Sequence, residues 1–184
     1  GPNEGRATSD GQLDPQTFVD ETWSLHEAAV VERQDGVLLL FMRNQHPHGR
    51  VAVSESHDAG QTWGAIRFDE NLPEIWCQPN AICLPSAEGE DRIVFANASL
   101  MLPFRGCGVI RLSLDGGRTW KRSRTFNPGH YVYQCMCVLP DGRIGLLWEN
   151  ECQGLYFSRL PLSWFDAGIE AIEPHTTADQ DGSL

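Results

Sequence analysis

The sequence predicts an all-β protein assembled from propeller blades. Three features lead there: apolar runs too short for helices and bounded by turn residues, a strand–turn–strand pattern that recurs three times, and an octapeptide that occurs twice. The runs are 37–41, 51–53, 81–84, 93–96, 109–112, 135–139, 144–148 and 155–160, set between Asp-Gly, Pro and Gly signals. Segments of that length with those flanks read as strands. No capped amphipathic stretch competes with them as a helix.

In chain order, the three strand–turn–strand copies are HEAAVVERQDGVLLLFMRN (26–44), QPNAICLPSAEGEDRIVFANAS (78–99) and YQCMCVLPDGRIGLLWEN (133–150). After each of the first two, a further strand ends in S-x-D-x-G-x-T-W, at 56–63 and 113–120. In that octapeptide Ser and Asp side chains can bond the amides of a tight turn. Gly supplies the backbone freedom, and Trp anchors the turn on its sheet. Its role is therefore structural. A repeat of about 50–57 residues with four short strands per unit predicts about three blades, spanning 21–165. Polar segments at 1–20 and 166–184 read as tails, the first being alternatively a truncated blade.

A length of 184 residues, 41% of them hydrophobic, provides for a sizeable core. The net charge of −11 argues against nucleic acid or an anionic membrane as partner, since both would be repelled at long range. An anionic ligand must instead be gripped by local cations. All basic residues except Lys121 are arginine, whose planar fork matches a carboxylate. No run is long enough for a membrane span, and the first 20 residues lack a basic-then-apolar leader. The chain also lacks an initiating Met, which leaves the compartment open. Six cysteines without metal-ligand spacing read as buried free thiols. His46 and His48 flank Pro47 in a loop without a third ligand, so no metal or other cofactor is expected.

Aligning the repeats on their Asp-Gly turns exposes two slots. Glu27 lies eight residues before Asp35 and Tyr133 eight before Asp141, while Arg43 and Glu149 lie eight residues after those aspartates. In the middle copy Gln78 falls opposite Tyr133, and Asn97 near the later slot. Blades repeat around one channel, so residues of one slot face the same region whatever their separation in sequence.

The octapeptides are identified as the Asp boxes of the sialidase (neuraminidase) superfamily. LHEAAVVERQDGVLLLFMRN resembles the family segment with the catalytic glutamate and a substrate-binding arginine. FRGCGVIRLSLDGGRTW resembles the stretch with an arginine upstream of an Asp-box strand, and YQCMCVLPDGRIGLLWEN the one with the nucleophilic tyrosine and a later glutamate. The likeness runs over roughly residues 22–165, about the second half of a six-bladed propeller.

The resemblance implies an exo-α-sialidase that releases terminal sialic acid with retention. It makes Tyr133 the nucleophile, Glu27 the base that activates it, Arg43 and Arg105 two members of a carboxylate-binding arginine triad, and Glu149 the residue that positions the third. That third arginine and the aspartate acid/base would belong to an N-terminal half, so the 184 residues alone are expected to be inactive. The chemistry is coherent. Sialic acid carries a carboxylate on its anomeric carbon, which repels an anionic nucleophile, whereas a phenol stays neutral until a neighbouring base takes its proton. Arginines fork onto the carboxylate and offset its charge.

Each assignment has a plain rival: a solvated strand-end carboxylate for Glu27, a packing aromatic for Tyr133, a partner for nearby acids at Arg43, and mere exposure for Arg105 in a loop after Phe104. Tyr131 competes with Tyr133 from the same strand face, and Gln78, Asn97 and Tyr131 are candidate substrate contacts. The expected partner is a sialylated glycan or other acidic sugar, with self-association through open blade edges as a second expectation. The alternative function is a non-catalytic Asp-box propeller that binds acidic glycans.

Overall fold

The computed structural model describes residues 25–102, 104–150 and 153–166. The tails expected at 1–20 and past 166 lie outside these, as do Trp23 and Cys152.

Three antiparallel sheets follow one another along the chain, each with its strands hydrogen-bonded in sequence order. The first holds β1 (Leu25–Glu32), β2 (Leu38–Asn44), β3 (Arg50–Ser56) and β4 (Arg67–Pro73). The second holds β5 (Asn80–Leu84), β6 (Arg92–Leu102), β7 (Phe104–Ser113) and β8 (Arg122–His130), and the third β9 (Gln134–Val138), β10 (Ile144–Glu149) and β11 (Leu155–Leu160). A 3-10 turn, Leu162–Phe165, follows. β1 lies beside β5 and β5 beside β9, so the first strand of every sheet lines one common side, as in consecutive propeller blades. Among the described residues no helix is long and apolar enough to cross a membrane.

All eight apolar runs fall within or overlap strands. Besides β1, which the first repeat copy covers, β4 (RFDENLP) and β8 (RSRTFNPGH) carry no such run. Both are edge strands, hydrogen-bonded only to β3 and β7 respectively, and an edge tolerates the charge and proline that an inner strand would not.

The inner strand β6 reads IVFANA because both its faces are covered. Ile93 and Phe95 point into a core with Leu39, Phe41, Val51, Val53 and Trp120, between the first and second sheets. Val94, Ala96 and Ala98 point the other way, into a core with Ile110, Met136, Leu146, Trp148 and Trp164, between the second and third.

The two octapeptides fold alike. In the first, the Ser56 hydroxyl donates to Asp58 (2.8 Å) and accepts from the Gly60 amide (2.8 Å), while Asp58 accepts from the Thr62 amide (2.8 Å) and hydroxyl (2.6 Å). Ser113, Asp115, Gly117 and Thr119 repeat these four bonds at the same lengths. The bonds from Thr62 hold the Asp58 carboxyl down at about 2. Gly117 is required: its φ is +79°, and a Cβ there would sit 2.7 Å from Leu39 Cδ2.

The tryptophans that end the two boxes differ in surroundings. Trp120 is buried, packs on Phe41 and Phe95 with ring centroids 6.0 and 5.7 Å away, and donates to Asp69 (3.1 Å) of the preceding sheet. Trp63 is 40% exposed and lines a hollow with Leu25, Leu40, Met42 and Ile66 on the side of the first sheet away from the second. At the other end of the array, Leu147 and Leu155 are exposed on the outward face of the third sheet. Both end faces are thus apolar.

One expectation fails. The five described cysteines are free, but only Cys77 is buried, and Cys135 and Cys137 are exposed. The inward positions of β9 belong to Gln134 and Met136, and strand alternation turns the cysteines out.

Candidate active site

Glu27 and Arg43 face each other across the β1–β2 hairpin, which explains their symmetric spacing about Asp35. The β1–β2 register shifts between Leu25 and Ala28, the stretch that holds Glu27, and such an irregularity re-aims a side chain. Arg43 Nη1 donates to Glu27 Oε2 at 2.7 Å. Burial works against the charged guanidinium, but the hydrogen bond and charge of Glu27, with Tyr133 alongside, outweigh it and raise the Arg43 pKa.

Tyr133 immediately precedes β9 and Glu149 ends β10. Their backbones meet: the Glu149 amide donates to the Tyr133 carbonyl (3.1 Å), and the Val132 amide to that of Glu149 (3.3 Å). The third hairpin thus holds its two slots side by side, as the first does.

Arg105 completes the cluster from the second sheet. It is not in a loop, as expected, but within β7, opposite Met101 at the end of the long β6–β7 hairpin. Its Nη1 donates to the Tyr133 hydroxyl (3.1 Å) and to the Trp76 carbonyl (2.9 Å), and its guanidinium carbon lies 5.1 Å from the Tyr133 ring centroid. Arg105 therefore bonds the Tyr133 phenol directly, while Arg43, held by Glu27 on a different sheet, lies close enough for Tyr133 to contribute to its raised pKa. Among the described residues, Glu27 is bonded to Arg43 and Tyr133 to Arg105.

The remaining candidates lie elsewhere. Tyr131 is fully buried, its ring beside Phe126 and Trp148 and its hydroxyl bonded to Gln134. Asn97 is buried too, donating to the Pro73 carbonyl (2.5 Å) and accepting from Arg111 (2.9 Å). Neither polar group faces the space around the Tyr133 hydroxyl. Gln78 is half-buried, and its carbonyl accepts from Gln134 (2.9 Å).

Glu74 was missed by the sequence. It sits on the loop between β4 and β5, only 6% exposed, with Oε1 accepting from the Cys77 amide (3.0 Å). Burial pushes its pKa up to about 7, although the Cys77 and Trp76 amides and the charge of Arg43 pull the other way. A glutamate outside any apolar run carries no sequence signal for this. Next to it, burial raises the Cys77 thiol to about 11, so this cysteine is an inert structural thiol.

Two guanidiniums converging on a phenol, with a carboxylate behind one of them, can bind an anionic carboxylate and present an oxygen nucleophile to the atom that carries it.

The BNR repeat-like domain family matches residues 6–146. The chain belongs to that family, within the sialidase superfamily. This BNR-repeat chain is 35% identical over 160 residues to a sialidase of Micromonospora viridifaciens, covering 84% of the chain and 24% of that protein. It is 29% identical over 194 residues to a sialidase of Bacteroides fragilis, covering 88% and 35%. Its fold is that of the intramolecular trans-sialidase from Ruminococcus gnavus (TM-score 0.66, 23% identity), over 77% of this chain and 34% of that one. The chain thus spans between a quarter and about a third of the relatives it matches.

Proposed function

We propose that this BNR-repeat chain contributes half of the active site of an exo-α-sialidase, a glycoside hydrolase that releases terminal sialic acid from glycoconjugates with retention. The observation that carries the reading is the meeting of two arginines from different sheets beside Tyr133, Arg105 bonded to its hydroxyl and Arg43 paired with Glu27. The sialidases of M. viridifaciens and B. fragilis, similar over most of the chain, support it.

In this reading Arg43 and Arg105 receive the substrate carboxylate and so hold the anomeric carbon over Tyr133. The incoming carboxylate competes with Glu27 for Arg43, which frees Glu27 to take the phenolic proton. The Tyr133 oxygen bonds to the anomeric carbon as the glycosidic C–O bond breaks, and the leaving oxygen accepts a proton from an acid. Water then cleaves the tyrosyl–sugar bond, with its proton returning to that acid and the Glu27 proton to the phenolate. Two inversions give net retention.

The acid and a third arginine come from outside the 184 residues, in a continuation of the same propeller. The short span relative to the relatives and the apolar faces at both ends of the array support that continuation. The isolated chain then has negligible activity.

The test is release of sialic acid from an aryl α-sialoside by the full-length polypeptide, followed by NMR. The α-anomer must appear first. Initial β-anomer refutes retention. Tight binding without release instead makes the protein a propeller that binds acidic glycans.

A further inference from the structure

Trp76 stands out by its backbone and its exposure together. Its φ is +62°, in the left-handed region that a bulky L-residue adopts only under constraint. The constraint is visible. Glu74 Oε1 binds the Cys77 amide (3.0 Å), the Cys77 thiol binds the Val132 carbonyl, and the Trp76 carbonyl accepts from Arg105 Nη1 (2.9 Å). Yet the indole that this turn presents is 55% exposed and meets no ring among the described residues. A strained turn that leaves a large apolar side chain more than half exposed points to a task at the surface.

Its position suggests which part of a ligand it meets. Arg105 bridges the Trp76 carbonyl and the Tyr133 hydroxyl through one nitrogen, so Trp76 borders the carboxylate-binding arginine close to the nucleophile. In a sialoside, the carboxylate and the leaving group hang from the same carbon. The acyl and glycerol substituents are attached further round the ring. Of the substituents outside the ring, the leaving sugar is therefore the one nearest the arginine-bound carboxylate.

We propose that Trp76 is a specificity-determining platform for that leaving sugar, the indole face covering the apolar C–H face of a galactose-like pyranose. Glu74 is the residue that holds the platform's turn. The inference rests on the sialidase reading for its ligand.

Binding rather than turnover tests it, in the full-length polypeptide. The probes are two thio-linked, non-hydrolysable ligands: an S-linked α-sialyl-galactoside and the methyl thio-α-sialoside, which has no leaving sugar. Trp76→Ala is expected to weaken the first about tenfold, about 1.4 kcal/mol, the worth of about 55 Å² of apolar cover. The second ligand stays within about twofold, and Trp76→Phe retains most of the affinity for the first. Equal weakening of both ligands overturns the proposal, because Trp76 would then act through Arg105. So does no change in either, or a wild type that binds neither. Hydrolysis of an aryl α-sialoside by the wild type is measured separately. Both ligands bound with no hydrolysis sinks the hydrolase reading, while the binding pattern still decides the role of Trp76.

Discussion

Replacing Trp120 by alanine should unfold much of what joins the first two sheets, while the same change at Trp63 should be mild. The positions are equivalent in the repeat, so the contrast isolates packing from motif chemistry. Trp120 is 9% exposed, touches Phe41 and Phe95, and satisfies the buried Asp69. Deleting a buried Trp side chain costs about 3–5 kcal/mol. Asp69 would keep the Asn71 amide (3.0 Å) and lose the indole, so about 4 kcal/mol is the expected loss. Against a total of about 5–15 kcal/mol that is a large fraction. Trp63, at 40% exposure, should cost about 1 kcal/mol. Urea unfolding of the 184-residue chain measures both, provided the m-values are unchanged. Equal costs at the two sites, or less than about 1 kcal/mol at Trp120, would refute the packing argument. In the full-length polypeptide, a further sheet over Trp63 should raise its cost toward that of Trp120.

Other expectations are more local. Glu74 has a folded pKa of about 7 against an ordinary 4.5, so its contribution is present in full below about 4.5 and is lost as pH rises through 7. Glu74→Gln should therefore gain stability relative to wild type between pH 5 and 8, by an amount on the order of 3 kcal/mol, and denaturation at a series of pH values checks this. Arg43→Ala or Arg105→Ala should weaken binding of a sialic-acid carboxylate on the order of 100-fold, and Arg105→Lys about tenfold because the fork is lost, both readable by calorimetry. Gly117→Ala should cost about 2 kcal/mol in urea unfolding, since it combines φ +79° with a Cβ against Leu39, whereas Gly142→Ala, with open space around it, should cost only its φ strain.

The blade pattern was legible because its determinants are local. Two Asp boxes close the same turns with the same side-chain bonds, and Asp-Gly hairpins place their flanking slots in register, so Glu27, Arg43, Tyr133 and Glu149 could be located by counting from Asp35 and Asp141. What was not legible depends on partners far along the chain. The arginine at 105 extends a strand rather than a loop because Met101 lies opposite it. Tyr131 differs from Tyr133 by two residues, yet it enters a core made by Phe126 and Trp148, which sequence position alone does not reveal. Strands β4 and β8 gave no apolar signal, since an edge strand tolerates charge and proline, and Glu74 acquires its shifted pKa only from burial beside Cys77.

The most direct measurement of the central claim is covalent trapping. The full-length polypeptide is incubated with a fluorinated sialosyl fluoride that slows breakdown of the intermediate, then digested and analysed by mass spectrometry. The expected result is one sialyl adduct on the peptide containing Tyr133, absent in Tyr133→Phe. An adduct on Glu27 or Tyr131, or undiminished sialoside hydrolysis by Tyr133→Phe, contradicts Tyr133 as the nucleophile.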